Sequence, residues 1–138
     1  MASIYISGGS YNFVSACIVN GVPNSGIEID GAAHCQVTGN LVISPGQATS
    51  NTYDGIILSG TATKNTVRGN EVHADPSTRY GINVSAATCD CNVVVANVLG
   101  DLADYGTDAL NDAGTGTWLT FPNDPAYGDN FVDCAPTS

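Results

Sequence analysis

The chain has 138 residues, enough for one domain with a real core but too few for two ordinary domains. It carries 13 acidic side chains against three basic ones, a net charge of −10, which excludes nucleic-acid backbones and anionic membrane surfaces as partners. Its 16 glycines, together with many Val, Ile, Asn and Thr residues, disfavour helices and favour short strands. No apolar run approaches the length of a transmembrane helix, and no signal peptide is visible.

Four segments of the chain repeat one pattern of apolar and polar residues. In chain order they are SIYISGGSYNFVSACIV from Ser3, GIEIDGAAHCQVTGNLV from Gly26, GIILSGTATKNTVRGNEV from Gly55 and GINVSAATCDCNVVVANVL from Gly81. Each begins with a small residue and an apolar–x–apolar triplet, bends through small and polar residues, and continues with a second triplet, a corner and a third apolar stretch. A weaker fifth copy begins near Ala109 in DALNDAGTGTW.

The repeat predicts an all-β fold, a parallel β-helix of about four to five coils with three short strands in each coil. Each strand is expected to pair with its counterpart one coil away, at a spacing of about 4.8 Å. A β-sandwich would also show alternating apolar residues, but it would not repeat one three-triplet phrase in register. The coils are expected over residues 1–117, followed by an irregular C-terminal cap segment over 118–138 in the same single domain.

Asparagine recurs at two corners of each copy, one before and one after the second triplet. The first corner contributes Asn12, Cys35, Asn65 and Asn92, and the second contributes Cys17, Asn40, Asn70 and Asn97. Stacked Asn side chains can hydrogen-bond along the stack, so the spacing predicts asparagine ladders. We also expect the Asn residues themselves to take the left-handed backbone conformation that a sharp bend demands.

The phrase GIxL…NxVxGNxV resembles the right-handed parallel β-helix superfamily, which includes pectate lyases, alginate epimerases and phage tailspikes, and the resemblance covers about residues 3–117. It implies a right-handed helix whose ligands bind in a groove beside the outer face of the first sheet. The outward positions there are Tyr5, Glu28, Ile57 and Asn83. The catalytic motifs of pectate lyases, epimerases and polygalacturonases are absent. The resemblance implies the C-terminal part of a tailspike-like or polysaccharide-processing protein.

One link between coils carries residue types suited to acid–base chemistry on a sugar. His73, Asp75, Arg79 and Tyr80 lie on it, and Asp54 lies on the neighbouring coil. In a lyase or epimerase, Arg79 would neutralise the sugar carboxylate, His73 or Tyr80 would move the proton, and Asp75 would orient the histidine. The alternative is a solvated loop with a turn initiated at Asp75-Pro76. A scarcity of basic residues makes an anionic sugar polymer a poor partner except near this cluster.

Three tyrosines, Tyr53, Tyr80 and Tyr105, each lie shortly before the first strand of the next coil. If they are in register, they form an aromatic column beside the groove, and aromatic rings with a polar tip suit sugar stacking. With the outward Glu28 and Asn83, they form the predicted carbohydrate-binding set. The alternative is that the rings pack their own links onto the coil below.

Residue spacing shows no cofactor motif, and one acidic run is the candidate for a metal site. The acidic run Asp101, Asp104, Asp108 and Asp112 could hold Ca²⁺, which takes oxygen ligands, or could be a solvated acidic loop. The five cysteines lack the CxxC spacing of zinc or redox sites, so most are expected to be buried or isolated thiols.

These observations predict an extracellular, cell-surface or virion module that binds a polysaccharide or surface glycan. One alternative is an enzyme, a polysaccharide lyase, uronate epimerase or glycoside hydrolase, acting beside the first sheet. Another is a structural element that assembles without a ligand. The N-terminal strand begins almost at once and has nothing to cap it, which favours further β-helix coils before it or a homo-oligomer such as a trimer.

Overall fold

The computed structural model describes residues 1–100 and 104–120, and in these ranges the chain is an all-β protein. The strands are β1 (Ile4–Ser7), β2 (Phe13–Ser15), β3 (Ile18–Asn20), β4 (Ile27–Asp30), β5 (Gln36–Thr38), β6 (Leu41–Ile43), β7 (Ile56–Ser59), β8 (Thr66–Arg68), β9 (Glu71–His73), β10 (Tyr80–Val84), β11 (Val93–Val95), β12 (Val98–Leu99), β13 (Asp108–Asp112) and β14 (Trp118–Thr120). They make four three-stranded coils and two strands of a fifth coil.

Every strand pairs in parallel with its counterpart one coil away, so the strands form three sheets. Sheet 1 has the order β1-β4-β7-β10-β13, sheet 2 the order β2-β5-β8-β11-β14, and sheet 3 the order β3-β6-β9-β12. The pairing is in register, as when Ile27 lies opposite Ile56 and Ile56 opposite Ile82. The parallel β-helix with three short strands per coil is therefore confirmed.

The core is formed by the inward residues of the three triplets. In the middle coils these side chains have no exposed surface, among them Ile56, Leu58, Val67 and Val72. Each side chain of this size contributes about 1.5–3 kcal/mol when it leaves water. Side chains alternate between the two faces of a strand, so the residues between the inward ones point outward. Those outward residues carry any surface chemistry.

A column of glycines at the entry to sheet 1 explains why each repeat begins with a small residue. A Cβ on Gly26 would lie 2.6 Å from both the Gly55 carbonyl oxygen and a methyl group of Val42. A Cβ on Gly55 would lie 2.5 Å from the Gly81 carbonyl oxygen and 2.7 Å from a methyl group of Val72. No side chain fits at these positions, because sheet 3 packs directly against the entry to sheet 1.

The predicted asparagine ladder forms at the second corner, between sheets 2 and 3. Asn40 Nδ2 donates to Asn70 Oδ1 at 2.9 Å, and Asn70 Nδ2 donates to Asn97 Oδ1 at 3.0 Å. The backbone N–H groups of Asn40 and Asn70 donate to the same two oxygens. Asn70 Nδ2 also donates to the carbonyl of Val37 at 2.8 Å. These side chains are buried, and the ladder supplies the partners that buried amides require.

A shorter ladder occupies the first corner, between sheets 1 and 2. Asn65 Nδ2 donates to Asn92 Oδ1 at 3.1 Å, and Asn65 Oδ1 accepts from the backbone N–H of Cys35 at 2.8 Å. Cys35 has no amide to continue the ladder, and Asn12 reaches only its sulfur, at 3.5 Å. Thr117 takes the ladder position of the fifth coil, where its Oγ1 has no hydrogen-bond partner among the described residues.

The left-handed residue at each corner is not the asparagine that was expected but the residue before it. Gly39 and Gly69 precede Asn40 and Asn70 with φ of 65° and 62°. The non-glycine residues Tyr11, Ala16, His34, Lys64, Cys91 and Ala96 occupy the equivalent positions with φ from 51° to 61°. The Asn side chain must point into the corner to reach its neighbours, so the bend falls one residue earlier.

Sheet pairing extends beyond residue 117, because β14 pairs with β11 from Trp118 to Thr120. The rest of the expected cap segment, residues 121–138, lies outside the described residues. The described ranges contain no helix that is long and apolar enough to cross a membrane.

Candidate functional site

The predicted catalytic link is organised around a partly buried ion pair between neighbouring coils. Arg79 Nε donates to Asp54 Oδ1 at 2.9 Å, and Arg79 Nη2 donates to Asp54 Oδ2 at 2.7 Å. Asp54 is fully buried, and it also accepts a hydrogen bond from Asn83 Nδ2 at 2.9 Å. The bond to the Asp54 carboxylate raises the pKa of the Arg79 guanidinium. Two-point pairing of this kind is strong and directional, so it fixes the link to sheet 1.

This pairing assigns Arg79 a structural partner of its own. The guanidinium neutralises Asp54, so it is not a free cation waiting for a sugar carboxylate. Its side chain is 33% exposed, and its central carbon lies 5.2 Å from the centre of the Tyr80 ring, a cation–π distance. Asn83, although it occupies an outward strand position, is buried and also accepts from Asn111 Nδ2 at 2.8 Å.

The other two predicted catalytic residues have partners elsewhere. His73 is exposed on β9 of sheet 3, and its Nε2 contacts Glu71 Oε1 on the same face of the strand. Asp75 accepts from the backbone N–H of Ser77 and from Gln47 Nε2, each at 2.8 Å. In the structure, therefore, His73 and Asp75 each bond a partner other than the one that the proposed proton transfer would need.

Partial burial tends to raise the pKa of Asp75, but the hydrogen bonds from the Ser77 backbone, Gln47, Ser44 and the Ser77 side chain outweigh it, and the net pKa is lowered. Asp75 closes a local turn in which the Thr78 N–H also donates to its carbonyl at 2.9 Å. These bonds match the alternative of a turn initiated at Asp75-Pro76.

The three tyrosines do not form the expected column. Tyr53 lies opposite Thr78, two residues before Tyr80, and Tyr80 lies opposite Asp108, three residues after Tyr105. Two residues of strand separate positions by roughly 6–7 Å, so the rings are out of register. Tyr53 and Tyr80 remain half-buried at the surface.

Tyr105 is turned into the protein instead. Its hydroxyl donates to the Val72 carbonyl at 3.3 Å and accepts from the Gly100 N–H at 3.1 Å. Burial raises the pKa of Tyr105 to about 12. The ring holds its link against the coil below, which is the alternative that the sequence left open for this residue.

The outer face of sheet 1 carries paired polar side chains on its first three strands. Tyr5 is 36% exposed, and its hydroxyl donates to Asp30 Oδ2 at 2.6 Å. Ser59 Oγ donates to Glu28 Oε1 at 2.9 Å. The hydrogen bond to Asp30 is the main reason that the pKa of Tyr5 is raised. Glu28 and Asp30 lie two residues apart on β4, so both point outward, roughly 6–7 Å apart along the strand.

Asp30 and Ser59 were not among the residues singled out from the sequence, although strand alternation contained the signal. Asp30 follows Glu28 by two positions, and Ser59 follows Ile57 by two. Each second residue of a strand shares a face, so the last residue of a four-residue strand belongs to the outward row as well.

The acidic run does not assemble a cation site in the part of the chain that the structure describes. Asp108 Oδ1 accepts from the Ala109 N–H at 2.7 Å, and Asp112 Oδ1 accepts from the Gly114 N–H at 3.0 Å. Asp104 is exposed, Asp101 lies outside the described residues, and no group of three or more His, Cys, Asp or Glu side chains comes together within the described ranges.

The described cysteines lie at four separate positions, and Cys17, Cys35 and Cys89 are free thiols. Cys35 and Cys89 are buried and Cys17 and Cys91 half-buried, as expected for residues that pack as small hydrophobes. Cys134 lies outside the described residues.

Comparison with known proteins adds no relative: no protein-family model matches the chain, and no significant match is found among curated proteins or solved structures.

Proposed function

We propose that this β-helix is a carbohydrate-binding module and that the outer face of sheet 1 holds a neutral glycan. Tailspike-like and polysaccharide-processing proteins of the pectate-lyase-like type, which the repeat resembles, provide the precedent. By the same resemblance we propose that the module works outside the cell, at a cell surface or on a virion.

The observation that carries the proposal is the pair of carboxylate–hydroxyl contacts on successive strands, Tyr5 with Asp30 and Glu28 with Ser59. Carboxylate oxygens accept hydrogen bonds from sugar hydroxyls, and bonds to a charged acceptor are the stronger kind. The strands hold these groups about 4.8 Å apart from coil to coil, so little conformational freedom is lost on binding. The exposed ring of Tyr5 offers an apolar surface for one face of a sugar.

Charge favours a neutral ligand on this face. Glu28 and Asp30 are both acidic, and the chain as a whole carries −10, so a uronate chain would be repelled here. Arg79, which directly precedes β10 of sheet 1, is paired with Asp54. The lyase and epimerase alternative needs a cation for the sugar carboxylate, and the described residues commit Arg79 to another partner.

The test is a binding measurement of a panel of neutral oligosaccharides on the intact chain, followed by calorimetry with any sugar that binds. We expect Glu28→Gln and Asp30→Asn each to weaken binding about tenfold, because each loses a charged acceptor. Tyr5→Ala should weaken it further than Tyr5→Phe, which keeps the ring.

The matched control is Glu71→Gln, which removes the same charge from the outer face of sheet 3 and should leave affinity unchanged. Equal affinity of Glu28→Gln, Asp30→Asn and the native chain would overturn the assignment to sheet 1. Release of new reducing ends from a panel sugar would favour the enzyme alternative, and the absence of any binding would favour the structural element.

A further inference from the structure

The outer face of sheet 2 differs in charge from the rest of this acidic chain. None of the outward residues on its five strands is an Asp or a Glu. Two of the three basic residues belong to this face: Arg68 is exposed on β8, and Lys64 is exposed at the first corner two residues before β8. Asp90 is the one acidic residue at the corner, where its carbonyl accepts from the Lys64 N–H.

The same face exposes aromatic rings at both ends. Phe13 is 62% exposed on β2, and Trp118 is 44% exposed on β14. Both stand in one outward row, which runs through the in-register partners Gln36, Thr66 and Val93. Four strand steps separate the two rings, a distance of about 19 Å along the coil axis.

A third aromatic ring lies beside the row at the first corner. Tyr11 is 79% exposed and stacks on His34, with ring centres 5.2 Å apart and planes 11° from parallel. Lys64 follows His34 in the same corner column, since the His34 N–H donates to the Thr63 carbonyl one coil away. A cation, a histidine and an aromatic ring therefore border one edge of the acid-free sheet.

We propose that sheet 2 binds a linear anionic polysaccharide that lies along the coil axis. Lys64 and Arg68 meet carboxylate or sulfate groups, while the rings of Phe13, Tyr11 and Trp118 take the apolar faces of sugar units. The acidic side chains of the other faces repel such a ligand. Because screening at physiological salt limits this repulsion to about 8 Å, it does not prevent binding on sheet 2. This surface is separate from sheet 1 and takes the opposite class of ligand.

Charge complementarity selects this occupant over a neutral glycan. The guanidinium and ammonium groups can donate hydrogen bonds to any sugar, but only an anionic sugar also pairs with their charge, which gives the stronger bond. The length of the row, about 19 Å between Phe13 and Trp118, suits a chain of several sugar units rather than one.

The experiment measures binding of a polygalacturonate oligomer to the intact chain, with the fully methyl-esterified oligomer as the uncharged control ligand. We expect the charged oligomer to bind at least about tenfold more tightly, and its affinity to fall as salt rises from about 50 to about 300 mM. Arg68→Gln and Lys64→Gln should each cost about fivefold in affinity.

Position is tested by moving the charge within its row. Thr38 lies opposite Arg68 one coil away, so Arg68→Thr combined with Thr38→Arg shifts the guanidinium by about 4.8 Å and should restore most of the affinity. Phe13→Ala and Trp118→Ala should each weaken polygalacturonate binding. If one of these variants fails to fold, the other still measures the contribution of an aromatic ring. Glu71→Gln on the outer face of sheet 3, outside both proposed surfaces, should leave polygalacturonate affinity unchanged.

Three outcomes would overturn the proposal. One is equal binding of the charged and esterified oligomers, and another is native affinity in both Arg68→Gln and Lys64→Gln. The third is polyglutamate of matched length binding as tightly as polygalacturonate, which would make the partner an acidic polypeptide.

Discussion

The two corners of the coil have the same backbone and different side chains. At both, the ladder residue follows a residue in the left-handed conformation, with φ from 51° to 61° at the first corner and from 52° to 65° at the second. In the first four coils the left-handed residues are Tyr11, His34, Lys64 and Cys91 at the first corner, and Ala16, Gly39, Gly69 and Ala96 at the second.

The difference shows where the fold accepts strain. A non-glycine residue in the left-handed region costs about 1–2 kcal/mol, and the second corner avoids this cost at Gly39 and Gly69 but not at Ala16 and Ala96. The first corner accepts it with large side chains that flank the outer face of sheet 2. Backbone strain of this kind concentrates at functional positions, and the large left-handed residues Tyr11, His34 and Lys64 border the surface proposed on sheet 2.

The largest expected effect comes from breaking the ladders. Asn70 makes four side-chain hydrogen bonds, two accepted from Asn40 and one donated to each of Val37 and Asn97. Asn70→Ala should lower the free energy of unfolding by about 3–5 kcal/mol, because buried partners lose their bonds. Denaturant titration measures it.

Asn65, at the first corner, makes only three such bonds, since Cys35 offers a backbone N–H but no amide. Asn65→Ala should therefore be about 1 kcal/mol milder than Asn70→Ala. The exposed Asn20 is the control, and Asn20→Ala should change stability by less than about 0.5 kcal/mol. An equal or reversed order of the two ladder variants would show that the corners do not differ as their hydrogen bonds indicate.

A smaller effect is expected from exchanging glycine and alanine within the second corner. Nothing lies within 4 Å of a Cβ placed on Gly69, so Gly69→Ala tests backbone strain alone and should destabilise by about 1 kcal/mol. Ala96→Gly should stabilise by about 0.5–1 kcal/mol. The control is Ala87→Gly, at an exposed position without positive φ. It should destabilise the fold, whereas Ala96→Gly should stabilise it. The three variants are compared by thermal and chemical unfolding. The strain argument is refuted if Ala96→Gly destabilises the fold as Ala87→Gly does.

The smallest effect on stability, but a diagnostic one, is expected at Lys64. Lys64→Gly should stabilise the fold by about 0.5 kcal/mol through relief of strain, while polygalacturonate affinity falls about fivefold with the lost charge. Lys64→Arg keeps both charge and strain and should match the native chain in both measurements. Stability and binding that rise or fall together in Lys64→Gly would contradict the separation between backbone strain and side-chain function.

Local spacing was sufficient to predict the fold. The apolar triplets have a period of two residues, and Asn40, Asn70 and Asn97 keep a constant place relative to them, so the inward rows and ladders could be read directly. These features depend on neighbours within a few residues and on a stacking distance that every β-sheet shares.

The candidate site was harder to predict because it depends on how the links fold. Tyr53, Tyr80 and Tyr105 have similar places in the sequence, yet their links differ in length and put them out of register. Tyr105 turns inward to bond Val72, which no residue pattern signals. Asn83 lies on the outward row, as the strand period predicts. It is nevertheless buried, and its side chain donates to Asp54 of the Asp54–Arg79 pair.

The glycine column also has a consequence for engineering. Because Gly26 and Gly55 leave no space for a methyl group, sheet 3 makes the same close approach to the entry of sheet 1 in both coils. The links vary in length instead. Residues 44–55 and residues 74–79 both lead from sheet 3 back to sheet 1, and the first of these links is much longer than the second. Residues 47–52 are exposed, so a foreign peptide inserted there would project from the side of a rod of unchanged width. The link of residues 44–55 is in this respect an attachment point for displaying a peptide.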